Sequence, residues 1–172
     1  MLGSYVDDNG RVDYTGLKAH PQDLQAYVRL LGQVSPENHP VRFPTQSDSM
    51  AYWINAYNAF VLKGMVDHYP VKSVKDIKIL SGFFSRIDFK AGGKFYTLND
   101  IEHEILRREF QDPRIHVAIN CASIGCPRLP RKAFKPENLD ARLEEEIRFF
   151  VREQRNVRID RDTAEMHLSE IF

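Results

Sequence analysis

A chain of 172 residues, 42% hydrophobic and 28% charged, has the size and make-up of one globular domain whose core can fold without staples. Its 24 basic and 24 acidic side chains cancel, which argues against a protein built to coat nucleic acid or an anionic membrane, since both need a basic excess. No run reaches the ~18 apolar residues that span a bilayer, no basic-then-apolar leader is visible up to Asp8, and two cysteines are too few for a disulfide scaffold.

In chain order, Asp7-Asp8-Asn9-Gly10 is a turn signal, followed by Arg11-Val12-Asp13-Tyr14, and predicts a short hairpin or ordered arm. Pro21 starts a helix with Leu24, Tyr27, Val28 and Leu31 on one stripe and Gly32 as its stop. Pro36, Pro40 and Pro44 mark residues 35–46 as a loop. A helix over about 47–67 follows, capped by Thr45, Ser47 or Asp48, in which Met50 to Met65 is almost wholly apolar, aromatic, Ala or Asn. A helix apolar all round is central and buried on every side. Asn55 and Asn58 share one of its faces. Burying two carboxamides is costly unless each is hydrogen-bonded, so they tie neighbouring loops to the helix, face a site, or do both.

His68-Tyr69-Pro70 ends that helix, and Ser73 with Asp76 predicts a short capped turn. Phe83 to Phe89, the turn Ala91-Gly92-Gly93 and Lys94 to Tyr96 read as a hairpin. Thr97-Leu98-Asn99-Asp100 starts another helix. There Leu98, Ile101 and Ile105 form one stripe, and Glu102, Leu106 and Phe110 an adjoining one. Glu102 between apolar faces is a candidate for partial burial, although most helix glutamates are solvated. After Asp112-Pro113, residues 114–120 read as a core strand, with Ile115, Val117 and Ile119 on one face and His116, Ala118 and Asn120 on the other. Cys121 falls at its end, followed by Cys126-Pro127 and an extended segment through Arg128 and Pro130.

Pro136 leads a long C-terminal helix with Leu139, Leu143, Ile147 and Phe150 inside and Glu144-Glu145-Glu146 as its wet face. Val157-Arg158-Ile159 and Met166-His167-Leu168 form a second hairpin around Asp160-Arg161-Asp162. The fold class is α+β in one domain over 1–172: a buried central helix packed with two hairpins, a core strand and a long C-terminal helix.

The chemistry these residues offer centres on Cys121. A cysteine nucleophile needs a base or an electropositive setting, and a base needs an orienting group. His116 or the competing His103 can be the base and Glu102 the orienter. Asn55, Asn58 or Asn120 can serve as oxyanion or substrate contacts. Against this stands the rule that a lone cysteine is usually a buried hydrophobe and a lone histidine a satisfied hydrogen-bonder. Cys121 and Cys126 could also pair. Four intervening residues, rather than two, speak against a redox motif and leave a structural disulfide or none. A metal site from His103, His116, Cys121 and Cys126 reaches four ligands but lacks a second closely spaced pair, so no metal and no cofactor is expected.

Tyr52-Trp53-Ile54-Asn55-Ala56-Tyr57-Asn58-Ala59, Thr97-Leu98-Asn99-Asp100-Ile101-Glu102-His103, and Arg114 to Ser123 followed by Gly125-Cys126-Pro127 resemble the hallmark blocks of the family called domain of unknown function 547. Tyr5-Val6 to Val12-Asp13-Tyr14 and the late Leu168-Ser169-Glu170-Ile171-Phe172 fit the same pattern. The resemblance implies a domain and not an activity. Family members occur in bacteria, often behind secretion signals, and in plants, often behind a coiled coil, which implies a periplasmic or secreted location here. Members commonly run past the equivalent of Ile171-Phe172, so the resemblance implies that both ends are trimmed.

Two functional expectations follow. The first is a cysteine-dependent hydrolase or acyl-transfer enzyme acting on a small-molecule or peptide-like amide or thioester, with Cys121 as nucleophile, His116 or His103 as base and Glu102 as orienter. The second is a non-catalytic ligand- or protein-binding module in which the same blocks are structural.

Overall fold

A computed structural model describes residues 1–78, 82–123 and 125–171; Phe172, from the last of the stretches quoted above, and Ile124, between Ser123 and Gly125, lie outside them. The chain runs through α1 (Leu2–Tyr5), α2 (Tyr14–Ala19), α3 (Gln22–Gln33), α4 (Gln46–His68) and α5 (Gly82–Ser85). The antiparallel hairpin β1 (Phe89–Ala91) and β2 (Lys94–Tyr96) is followed by α6 (residues 98–110), α7 (Ile115–Ala118) and α8 (Leu139–Arg152). A second antiparallel hairpin, β3 (Val157–Asp160) and β4 (Glu165–Leu168), comes last. This is the α+β arrangement of a buried central helix, two hairpins and a long C-terminal helix.

α4 begins where Thr45 and Asp48 satisfy each other's backbone. Asp48 N–H donates to Thr45 Oγ1 at 3.1 Å, and Thr45 N–H donates to Asp48 Oδ2 at 2.9 Å. Two of the helix's orphan donors are thereby paired, which lets the helix start beside a proline-rich loop. Beyond its first turn nearly every side chain is buried, from Met50 to Val66, because α3, α6, α2 and the turn Pro136–Asn138 surround it. Phe43, Tyr52, Trp53 and Tyr96 pack edge to face in series, with ring centroids 5.0 to 5.5 Å apart, and Phe60 stacks on Phe89. These rings lock the first hairpin onto the central helix.

α6 starts on the same device. Asp100 N–H donates to Thr97 Oγ1, and Thr97 N–H donates to Asp100 Oδ2. Over Asp100–Arg107 it widens into a π-helix. Such widening re-aims side chains and is frequent at functional sites. Leu98, Ile101, Ile105 and Leu106 are buried, and Glu102 is half-buried between them and solvent.

Three local expectations are corrected. Residues 114–120 are not a core strand: Ile115–Ala118 is a helical turn, and the chain becomes extended only at Ile119. Asp112-Pro113 is a helix-start signal, with Asp112 Oδ1 accepting from the Arg114 N–H at 2.9 Å. A four-residue helix is too short to show its period, so its Ile-x-Val-x-Ile alternation imitates a strand. Phe83 likewise lies in α5, and the first hairpin begins only at Phe89. On α8, Glu146 is not part of a wet face but 2% exposed.

The second hairpin stands apart from the core. Its register pairs Val157 with Leu168 and Ile159 with Met166, so these four share one face. Ile159 and Met166 are 66% and 61% exposed.

Gly64 sits inside the buried helix because Phe83 packs on it. A Cβ there would lie 2.6 Å from Phe83 Cε2 and 2.8 Å from its Cζ. Alanine is the better helix former by about 1 kcal/mol, yet the crowding outweighs this. Gly64→Ala is expected to destabilise by about 1–2 kcal/mol in urea unfolding. A variant more stable than the parent would show that the Phe83 ring is not held against that face.

Candidate functional site

The segment after α7 is pinned at each bend by side-chain amides. Asn58, 7% exposed on α4, accepts from the Asn120 N–H at 2.8 Å and donates to the Ala118 carbonyl at 2.9 Å. One turn earlier, Asn55 accepts from the Phe134 N–H at 3.0 Å and donates to the Phe134 carbonyl at 2.8 Å. Asn120 repeats the motif within the loop, accepting from the Ala122 N–H at 2.9 Å and donating to the Pro127 carbonyl at 2.7 Å. Each carboxamide uses its acceptor and its donor on backbone groups that would otherwise be unpaired. Ala122 is held at φ +57°, a left-handed conformation costly for a residue with a Cβ.

Cys121 and Cys126 close this loop as a disulfide, their Cα atoms 6.0 Å apart. Cys121 is half-buried and Cys126 buried. Among the described residues no hydrogen bond joins the Cys121 sulfur to His103 or His116.

Glu102 and the two candidate histidines have other partners. Tyr57, buried in α4, donates its hydroxyl to Glu102 Oε2 at 3.2 Å. Burial pushes the Tyr57 phenol well above its ordinary range and the Glu102 charge adds to this, so the proton stays on the phenol. His116 on α7 feels Arg107, Glu102 and His103 of α6. Burial lowers its pKa first; Arg107 and His103 push the same way and Glu102 opposes them. Arg107 Nη1 lies 3.1 Å from His103 Nδ1. A guanidinium can only donate, so in this contact His103 Nδ1 is the acceptor. Tyr57 thus bonds to Glu102 and Arg107 to His103, while His116 feels the charges of α6 without a hydrogen bond to Glu102 or His103 among the described residues; Tyr57 and Arg107 were not singled out from the sequence. Arg107 is four residues from His103 on one helix, the spacing that could have found it.

A second polar cluster was missed. Glu146 accepts from Arg128 Nε at 2.7 Å and Nη2 at 3.2 Å, and from Arg142 Nη2 at 3.1 Å. The Arg128 guanidinium also stacks 3.7 Å from the Phe149 ring centroid. A buried carboxylate held by two guanidiniums is fully partnered, which is what its burial requires.

The pinned loop forms one wall of a cleft of about 490 Å³. That wall carries Asn120, Ala122, Ser123, Cys126 and Arg128. The turn ahead of α2 forms the second, with Asn9, Gly10, Arg11 and Tyr14, and Glu153 with Arg155 after α8 forms the third. Gly10, at φ +78°, has to be glycine for a second reason: a Cβ would lie 2.5 Å from Arg128 Cβ and 2.6 Å from Leu129 N. The first two walls therefore meet backbone to backbone. Arg155 Nη2 joins the third to the first through the Cys126 carbonyl at 3.4 Å. No group of three or more metal-ligating side chains occurs among the described residues, and no described helix is long and apolar enough to cross a membrane.

Compared with known proteins, residues 41–151 match the family model described as "Protein of unknown function, DUF547". Neither a search of curated proteins nor a search of solved structures gives a match.

The clasps make two predictions. Asn58→Ala strands the Asn120 N–H and the Ala118 carbonyl and is expected to cost about 3 kcal/mol in urea unfolding. Asn58→Asp restores only the acceptor and should not recover the loss; a silent Asn58→Ala would mean that water replaces the clasp. His116, with its folded pKa below the ordinary value of about 6.5, binds fewer protons folded than unfolded across that window. Its contribution to stability is therefore complete above pH 6.5 and declines as pH falls toward the folded value. Proton NMR of the His116 ring should titrate below 6.5, and His116→Gln should flatten the acid side of the stability profile.

Proposed function

The chain belongs to the DUF547 family, whose description carries no activity, and from its geometry we propose that it is a ligand-binding module whose binding place is the cleft walled by the Cys121–Cys126 loop. The observation that carries this reading is the fate of the signature amides. Asn55, Asn58 and Asn120 bond to backbone on both sides of their carboxamides. Asn58 and Asn120 hold one wall of a cleft in place, and such pre-organisation is what a binding surface requires. A volume near 490 Å³ lies within the range of small-molecule sites, which are concave and carry a few fixed polar groups. The disulfide supports an oxidising compartment, periplasmic or extracellular.

A second reading keeps the cysteine-dependent hydrolase or acyltransferase, with Cys121 as nucleophile and His116 or His103 as base. The charges of Glu102 and His103 that act on His116 favour it. It requires the disulfide to be reduced first, because a bonded sulfur is not a thiolate.

Two measurements separate these readings. A panel of neutral and charged fragments, followed by amide NMR of the full chain, should move Gly10, Ser123 and Arg155. Fragments that gather at Glu102 and His116 instead, or nowhere, would sink the cleft reading. Iodoacetamide without reductant should leave Cys121 unlabelled; ready labelling near neutral pH would favour the cysteine enzyme.

A further inference from the structure

The cleft's charge is not that of the whole chain. Its lining has three arginines, Arg11, Arg128 and Arg155, and one carboxylate, Glu153, in a protein whose formal charges sum to zero. Two of those cations are balanced locally. Arg128 is held by Glu146, and Arg155 lies 2.9 Å from Glu153. Arg11 is exposed, and among the described residues its guanidinium is in no ion pair. It is held at the rim by its backbone, whose N–H donates to Asp7 Oδ1 at 2.8 Å. Beside these charges the lining offers an apolar side made by Val12, Tyr14 and Pro127.

We infer that the cleft takes a small organic anion, a carboxylate or phosphate monoester with an apolar body, whose charged group is met by Arg11 with Arg155. The inference rests on the reading of the cleft as the binding place and adds the ligand's chemical class. The physical reason is the sign and placement of the excess. Charge-assisted bonds from guanidinium to an oxyanion are the strong ones. Arg155 is already oriented by Glu153 and the Cys126 carbonyl, which fixes one donor fork in the wall. Arg11 contributes the charge that nothing else in the cleft cancels. A neutral ligand would gain from the apolar side and leave that charge unused.

The test uses the full chain at low salt with phenyl phosphate, benzoate and benzyl alcohol, which share a ring and differ in charge. Binding is read by the amide shifts of Gly10, Ser123 and Arg155. Both anions are expected to bind about tenfold or more tightly than benzyl alcohol, as one charge-assisted hydrogen bond would give, and to weaken as salt rises. Arg11→Glu, a change at an exposed side chain, should abolish the preference while the amide spectrum elsewhere stays that of the folded parent. If benzyl alcohol binds as well as the anions, or Arg11→Glu leaves the preference intact, the anion inference is overturned and the cleft reading stands. If no probe moves a cleft amide the inference is also overturned, and the wider fragment panel then decides whether the cleft reading falls with it.

Discussion

The carboxamide of Asn58 is the interaction on which the rest of this structure depends. It reaches out of the most buried helix to a segment that has just left α7 and has no partner strand to satisfy its backbone. Without it, a carbonyl and an N–H would be buried unpaired at the point where the chain turns toward the disulfide. Asn55 repeats the device against Phe134, so one face of one helix governs both ends of the loop between. This is how an irregular segment can be as well determined as a strand.

The two polar groupings around Glu146 and Glu102 differ in kind. Glu146 is enclosed by Arg128 and Arg142, and its ion pairs position the Arg128 wall rather than present a charge to solvent. At Glu102 a buried phenol meets a half-buried carboxylate, and the charges of this helix act on the imidazole of His116. The first is a fixed clamp. The second keeps groups that can exchange protons, on a helix whose winding is locally relaxed.

Much of the architecture was legible because it rests on long periodic segments. The unbroken apolar run of α4 announced a central helix, and Thr45 with Asp48 announced its start. Both hairpins were marked by their turn residues. α7 was misread because four residues cannot display a helical period and its alternation copies a strand. Glu146 was misread because nothing in a run of three glutamates distinguishes the one that meets two arginines; one of these, Arg128, is fixed only by tertiary packing. The residues of the candidate site could be named from the sequence, but not how they group. Glu102, His103 and His116 were named as possible partners of Cys121; in the structure the first two bond to Tyr57 and Arg107, neither of which was named as a partner, and the cysteine pair was left open among a disulfide, a thiol and buried hydrophobes. The cleft was not legible as a cleft: one wall lies in a quoted block, but nothing in the sequence joined it to Arg11 or Arg155. The Asn9-Gly10 turn was visible, but the backbone it presses against was not.

The cleft's three walls have different origins along the chain. The loop from Asn120 to Arg128 falls within residues 41–151, the part that matches the family. The turn at Asn9 to Tyr14 and the residues Glu153 and Arg155 fall outside it on opposite sides. Gly10 can touch Arg128 only after 117 intervening residues have folded between them. No excised core of the protein would therefore hold the cleft. Family membership describes the frame, and the flanking segments complete the cleft.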